Sequence, residues 1–68
     1  MKQMRAYIKQ YNRRHSDRVA ELSSVFYTGG YGVTITELDG TVKALFFKSA
    51  AMFRRYMSGS FPEDYFLM

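Results

Sequence analysis

The chain has 68 residues, 47% of them hydrophobic and 24% charged, which is the composition of one small globular domain rather than of a disordered segment. It has no cysteine and a single histidine, which excludes disulfides, thiolate-bound metals and histidine-rich metal sites. Its net charge of +4 favours partners with negative surfaces, such as nucleic acid, anionic lipid or an acidic protein face, although a charge of this size also serves solubility alone.

The start of the chain is charged from Lys2 onward and lacks the apolar run of a signal peptide. The longest apolar runs, 44–47 and 50–53, are far shorter than the roughly 20 residues of a membrane helix. We therefore expect a cytoplasmic protein that does not engage a membrane, built as one domain over residues 1–68. A core of this size is marginal, so a homodimer or a docked partner is a further expectation.

Residues 3–22 predict an amphipathic helix, because apolar or aromatic side chains and one histidine recur at spacings of three and four. These residues are Met4, Ile8, Tyr11, His15, Val19 and Leu22. The same period gathers a basic ridge on the opposite side, formed by Lys2, Arg5, Lys9 and Arg13 and widened by Arg14 and Arg18. A break within 12–16, with Ser16 capping a second short helix, is the alternative; we favour one helix that can kink there.

Residues 33–47, VTITELDGTVKALFF, predict a β-hairpin around Asp39-Gly40, a pair that favours the two-residue type I′ turn. That turn pairs Leu38 with Thr41 and so fixes the register of the two strands. The face predicted for the core then holds Val33, Ile35, Glu37, Val42, Ala44 and Phe46, and the outer face includes Lys43, Leu45 and Phe47.

Residues 23–28, SSVFYT, predict a further strand, joined to the hairpin by a turn at Gly29-Gly30. The glycine-rich stretch 28–32, TGGYG, has the composition of a phosphate-binding loop. Such a loop has to open a helix, however, and the residues that follow these glycines alternate as a strand does. The sequence therefore favours a turn here.

The last third of the chain predicts a short helix over 50–57, with Ser49 as its N-cap and Gly59 as its stop. Residues 62–64, Pro-Glu-Asp, are typical of the first turn of another helix. Residues 60–68 form a possible docking tail.

Taken in order, these elements predict an α+β fold: a three-stranded antiparallel meander with an N-terminal helix and a short C-terminal helix on one face, in the order α-β-β-β-α. This order and the length resemble those of a double-stranded-RNA-binding domain, and residues 48–51, KSAA, are similar to the lysine-rich helix start of that family. The family's paired lysines are absent, because Lys48 directly follows Phe46 and Phe47.

Two surfaces are candidates for binding. One is the basic ridge with Arg14 and Arg18, which suits nucleic-acid phosphates or an acidic protein surface. The other is an apolar patch on the outer sheet face, formed by Val25, Tyr27, Lys43, Leu45 and Phe47, in which Tyr27 and Phe47 close over Gly32. Alternatively, the aromatic C-terminal tail folds back and covers this patch.

No catalytic constellation is predicted. The run His15-Ser16-Asp17 contains the residue types of a triad, but consecutive helical residues point about 100° apart and cannot converge. The six carboxylates show no pairing that the sequence reveals. We therefore expect a non-enzymatic protein without a cofactor or metal ion.

These observations lead to two hypotheses. In the first, a basic binding module engages nucleic-acid phosphates through the helix. In the alternative, a protein-binding inhibitor or adaptor blocks a host machine, such as one of defence or nucleic-acid processing, through the ridge and the outer sheet face. Short compact chains of this kind are typical of phage and mobile-element accessory proteins.

Overall fold

The computed structural model describes residues 2–68 and confirms the order α-β-β-β-α. The elements are helix α1 (Lys2–Arg14), strands β1 (Arg18–Phe26), β2 (Gly30–Glu37) and β3 (Val42–Phe47), helix α2 (Ala50–Met57) and a 3-10 helix (Glu63–Phe66). The strands form one antiparallel sheet in the order β1-β2-β3. The apolar sides of α1 and α2 meet the same face of this sheet, which we call the inner face.

The core lies between this inner face and the two helices. Its largest fully buried side chains are Phe47, Phe53, Met4, Ile35, Leu45 and Val33. Phe47 lies at the centre, because its ring meets those of Phe53, Tyr56 and Phe66 at centroid distances of 5.0, 5.5 and 4.6 Å. Aromatic packing of this kind gives a short chain a large buried apolar area.

Helix α1 is shorter than predicted. It ends at Arg14, where the His15 ring stacks on Tyr11 at 4.2 Å, and β1 takes up the chain from Arg18. Val19 and Leu22 therefore belong to a strand, and Val19 is 52% exposed. The prediction of a helix over 3–22 is wrong beyond Arg14, because the spacing of three and four continues by coincidence into residues that pair with β2.

The β2–β3 register also differs from the prediction, by one residue. Glu37 and Thr41 close the hairpin, with 2.8 Å between Glu37 N and Thr41 O, so residues 38–40 form a three-residue loop. A type I′ turn needs positive φ at both central residues, but only Gly40 has it, at +91°, and Asp39 instead accepts a hydrogen bond from Thr41 N. Like Gly40, Gly29 supplies the positive φ of its loop: it lies in the β1–β2 loop with φ +88°.

This shift exchanges the two faces of β3. Leu45 and Phe47 are fully buried in the core, whereas Val42, Ala44 and Phe46 lie on the outer face. The predicted outer patch is corrected accordingly.

Helix α2 and its caps are confirmed. Ser49 Oγ accepts a hydrogen bond from Met52 N, and the left-handed Gly59 ends the helix with bonds to the last turn. The tail then returns along β3, where Met68 N donates to Ala44 O and Phe66 is buried against Phe47. The tail thus covers the edge of the sheet and the core rather than the outer face.

The outer face stays open in the part of the chain that the structure describes. Phe26 and Phe46 pack edge to face there at 5.4 Å, with Phe46 against Gly30, while Gly32 faces Ser23 and Ser24. The predicted closure of Tyr27 and Phe47 over Gly32 is therefore wrong: an aromatic pair does lie beside a glycine of β2, but it consists of Phe26 and Phe46, and the glycine is Gly30. At the free edge of β1, the Asn12 amide bonds both Ala20 N and Ala20 O, at 2.7 and 3.0 Å, as a neighbouring strand would.

Candidate nucleic-acid interface

The predicted basic ridge exists as an exposed surface of α1. Met4, Ile8 and Tyr11 turn towards the core. The four ridge side chains, Lys2, Arg5, Lys9 and Arg13, are all exposed. The ridge is about 16 Å long from its first to its last residue, at 1.5 Å of rise per residue. It therefore presents four cations in a line along three turns of a rigid element.

Charge is separated between the helices and the rest of the molecule. Helices α1 and α2 together carry seven of the ten basic side chains and no acidic one. The residues outside them carry the other three basic side chains and all six acidic ones. The positive potential is therefore concentrated on the side of the molecule opposite to the open sheet face.

The ridge charges are also unpaired. Among residues 2–68, the ion pairs involve only Arg18 and Lys43 as cations, with Asp17, Glu37 and Glu63 as their partners. A cation without a local carboxylate keeps its full attraction for an external anion.

Arg14 lies beside the ridge, in a groove between α1 and α2. Tyr7 and Gln10 line the same wall, and Arg54, Met57 and Ser58 line the opposite one. The groove is open to solvent and has a volume of about 520 Å³. Arg14 and Arg54 thus extend the basic surface from α1 across to α2.

Arg18 does not widen the ridge. It lies on β1 and faces Asp17 and Glu63, with N–O distances of 3.3 and 3.8 Å. Its side chain is only 25% exposed. The prediction for Arg18 is wrong because the helix that would have placed it on the ridge ends four residues earlier.

The predicted patch of Val25, Tyr27, Lys43, Leu45 and Phe47 is not assembled. Leu45 and Phe47 are in the core, and Lys43 points to the inner side, where its Nζ lies 3.0 Å from Glu37 and 2.7 Å from Glu63. Val25 and Tyr27 are exposed, as predicted, but they lack these neighbours.

Lys43 belongs to a polar network that the sequence does not reveal. Glu63 accepts hydrogen bonds from Lys43 Nζ and from Tyr56 Oη, both at 2.7 Å, and Tyr11 Oη lies 3.4 Å from Tyr56 Oη. The network ties the tail to β3 and to both helices. The network forms only when the tail returns to the sheet, so it cannot be predicted from neighbouring residues in the sequence.

The network shifts the pKa values of its members. Burial alone would raise the pKa of Glu63, but the hydrogen bonds from Lys43 and Tyr56 outweigh it and hold that pKa below the usual value. The bonds to Glu63 and then Glu37 raise the pKa of Lys43. Burial, with the bonds to Tyr11 and Glu63, raises the pKa of Tyr56. All three groups are therefore held in their ordinary charge states at neutral pH.

No family model, curated protein or solved structure matches this chain. The case for a function therefore depends on the geometry and charge of the molecule itself.

The residues of the apparent triad do not converge. His15 Nδ1 lies 2.9 Å from Tyr11 O, while Ser16 and Asp17 are exposed in the turn before β1. No group of three His, Cys, Asp or Glu side chains within residues 2–68 is placed to hold a metal ion. Nor is any helix in that range long and apolar enough to cross a membrane.

Proposed function

We propose that this protein is a non-catalytic binding module that engages nucleic-acid phosphates through the basic ridge. The observation that carries the proposal is the charge separation: the two helices hold seven basic side chains and no acidic one, and none of the seven forms an ion pair with the described residues 2–68. The phosphate backbone of nucleic acid is a common cellular polyanion, and its regularly spaced charges can contact several cations of the ridge at once.

The ridge has features that suit phosphates more than bases. Its side chains are two lysines and two arginines on the convex surface of one helix, with no cluster of amide side chains to read base edges. Binding should therefore be weakly dependent on sequence and strongly dependent on salt. For about four phosphate contacts, affinity should fall on the order of 100-fold between about 50 and 200 mM salt.

The test is binding of a labelled oligonucleotide, measured by fluorescence anisotropy over a salt series. The ridge variant Arg5→Gln/Lys9→Gln/Arg13→Gln should lose most of the affinity and flatten the salt dependence. The control Ser24→Glu/Thr28→Glu/Thr36→Glu changes the net charge by the same amount at exposed positions of the sheet and its first turn. If both variants lose affinity equally, net charge and not the ridge is responsible, and the proposal fails.

A second candidate function is the capture of a host protein, as an inhibitor or adaptor, through the outer sheet face. The observation that favours it is a row across that face in which Val19 and Val42 flank Thr36 and remain 52% and 60% exposed. Pull-down from host lysate with and without nuclease separates the two functions. Capture that survives nuclease and is lost in Val42→Lys supports protein binding; capture that nuclease removes supports the ridge.

A further inference from the structure

The groove between α1 and α2 differs in kind from the basic ridge. Tyr7, Gln10 and Arg14 come from one side of α1, because they are spaced by three and four residues. Arg54, Met57 and Ser58 line the groove from the side of α2, where Met57 and Ser58 follow Arg54 by three and four residues. No acidic side chain lines this groove of about 520 Å³. It is a concave site built from two rigid elements, whereas the ridge is convex.

Two arginines stand on opposite walls of the groove. Arg14 and Arg54 are exposed, and neither forms an ion pair within residues 2–68. A guanidinium offers a planar fork of donors that matches two oxygens of one phosphate. The walls can therefore hold the phosphates on either side of a nucleotide that lies between them.

The remaining lining suits a base. Tyr7 is half-buried, and its hydroxyl accepts a hydrogen bond from Gln3 Nε2 at 3.0 Å, which restrains the ring. Met57 adds an apolar, polarizable surface, and the exposed Gln10 amide offers both a donor and an acceptor. A phosphate gains nothing from an aromatic ring or a thioether. An unpaired base, in contrast, can stack on the ring of Tyr7 and pack against the thioether of Met57.

We propose that the groove binds one unpaired nucleotide of single-stranded nucleic acid, with its base against Tyr7 and Met57 and its flanking phosphates on Arg14 and Arg54. The inference rests on the proposed function and narrows its substrate class, because a base inside a duplex is stacked and cannot enter the groove. The ridge then follows the rest of the strand.

Photocrosslinking locates the base directly. A short oligonucleotide carrying 5-iodouracil, made as RNA and as DNA, is irradiated with the protein, and the digest is analysed by mass spectrometry. Trypsin cleaves after Arg5 and Lys9, so Tyr7 is the only aromatic residue of peptide 6–9. A crosslink in that peptide or at Met57, with either strand chemistry, supports the proposal. Crosslinks confined to other residues overturn it.

Affinity measurements provide the second test. Tyr7→Leu should weaken single-strand binding about five-fold or more, as expected for a lost stacking partner, and leave duplex binding unchanged. Tyr27→Leu is the matched control, because Tyr27 is fully exposed on the β1–β2 loop. The double variant Arg14→Gln/Arg54→Gln should reduce the single-strand affinity by more than Tyr7→Leu does. Thermal melts verify that each variant remains folded.

The two proposals fail in different ways. If the wild-type protein binds neither strand form at low salt, the proposed function itself is wrong. If binding depends on the ridge but is equally strong for the duplex, and the groove variants match the Tyr27→Leu control, only the nucleotide site is wrong.

Discussion

The inner face of the sheet, which the helices cover, and the outer face, which they leave open, come from alternating residues of the same strands. On β2 and β3 the inner face presents Val33, Ile35, Leu45 and Phe47, all fully buried, while the outer face presents glycine, threonine and alanine with an exposed Val42 and a partly exposed Phe46. The inner face therefore supplies most of the apolar burial that stabilises the fold. The outer face contributes little to this apolar burial, so substitutions there can change binding without unfolding the molecule.

The largest test of this contrast uses two neighbours on β3. Phe47→Ala should cost about 3–5 kcal/mol, since it empties the centre of the core, and that is on the order of the whole stability of a domain this small. Phe46→Ala should cost about 1 kcal/mol, because that ring is partly exposed and packs on Phe26 and Gly30. Urea unfolding followed by circular dichroism measures both values.

The opposite order of the two losses would mean that the hairpin has the register of a two-residue turn. If Phe47→Ala does not fold, the milder Phe47→Leu keeps the comparison measurable.

The next test concerns the polar network at the border of the inner face. The folded pKa of Glu63 is depressed below its ordinary value of 4.5, so its stabilising effect is present above that pH and is lost as pH falls through the folded pKa. Glu63→Gln should cost about 1–2 kcal/mol at neutral pH, since the side chain is 23% exposed and partly screened.

The measurement is the free energy of unfolding between about pH 7 and 3. Glu63→Gln should flatten the fall in stability on acidification relative to the wild type. Parallel curves for wild type and Glu63→Gln would show that the network contributes nothing.

A smaller effect is expected at the free edge of β1. Asn12→Ala removes two hydrogen bonds from Ala20 and should cost about 1 kcal/mol, because water replaces the amide at this half-buried site. It also exposes edge groups that another strand can pair with. Light scattering should detect self-association of Asn12→Ala at high concentration but not of Gln10→Ala, an exposed control on the same helix. Monomeric behaviour of both would contradict the role of Asn12.

The smallest effect tests the packing on the outer face. A Cβ at Gly30 would lie 2.7 Å from Phe46 Cζ, but that ring is partly exposed and can move. Gly30→Ala should therefore cost about 1 kcal/mol or less in the wild type, and almost nothing in the Phe46→Ala background. Equal costs in both backgrounds would place the strain in the backbone instead.

Local chemistry made one part of the fold predictable. Helix α2, with Ser49 as its cap and Gly59 as its stop, follows from neighbouring residues alone and is found as predicted. The basic ridge was predictable for the same reason, because it lies wholly within the periodic part of α1. A feature can be inferred from sequence when it depends only on neighbouring residues, or on the regular spacing of residues within one helix, and on no contact with a distant part of the chain.

The register of β3 depended on the length of one loop. Asp39-Gly40 is compatible with both a two- and a three-residue loop, and the choice decides which face of β3 is buried. The sequence held one signal: Leu45 has a larger apolar side chain than Ala44, which favours burial of the face that carries Leu45 and Phe47.

Strand β1 was hidden by an irregularity. Its pairing with β2 shifts between Leu22 and Ser24, so its side chains do not alternate regularly over its whole length. The Glu63 network had no signal at all, because its members are brought together only by tertiary contacts. The α1–α2 groove likewise requires the two helices to be placed side by side.

The separation of charge between the helices and the rest of the molecule also has a kinetic consequence. With the net positive charge on the helices and the net negative charge elsewhere, the molecule has a permanent dipole. An approaching polyanion exerts a torque on this dipole before any contact forms and turns the helices towards itself. A larger share of collisions then begins in a productive orientation. Added salt should accordingly slow the association rate before it alters the lifetime of the complex.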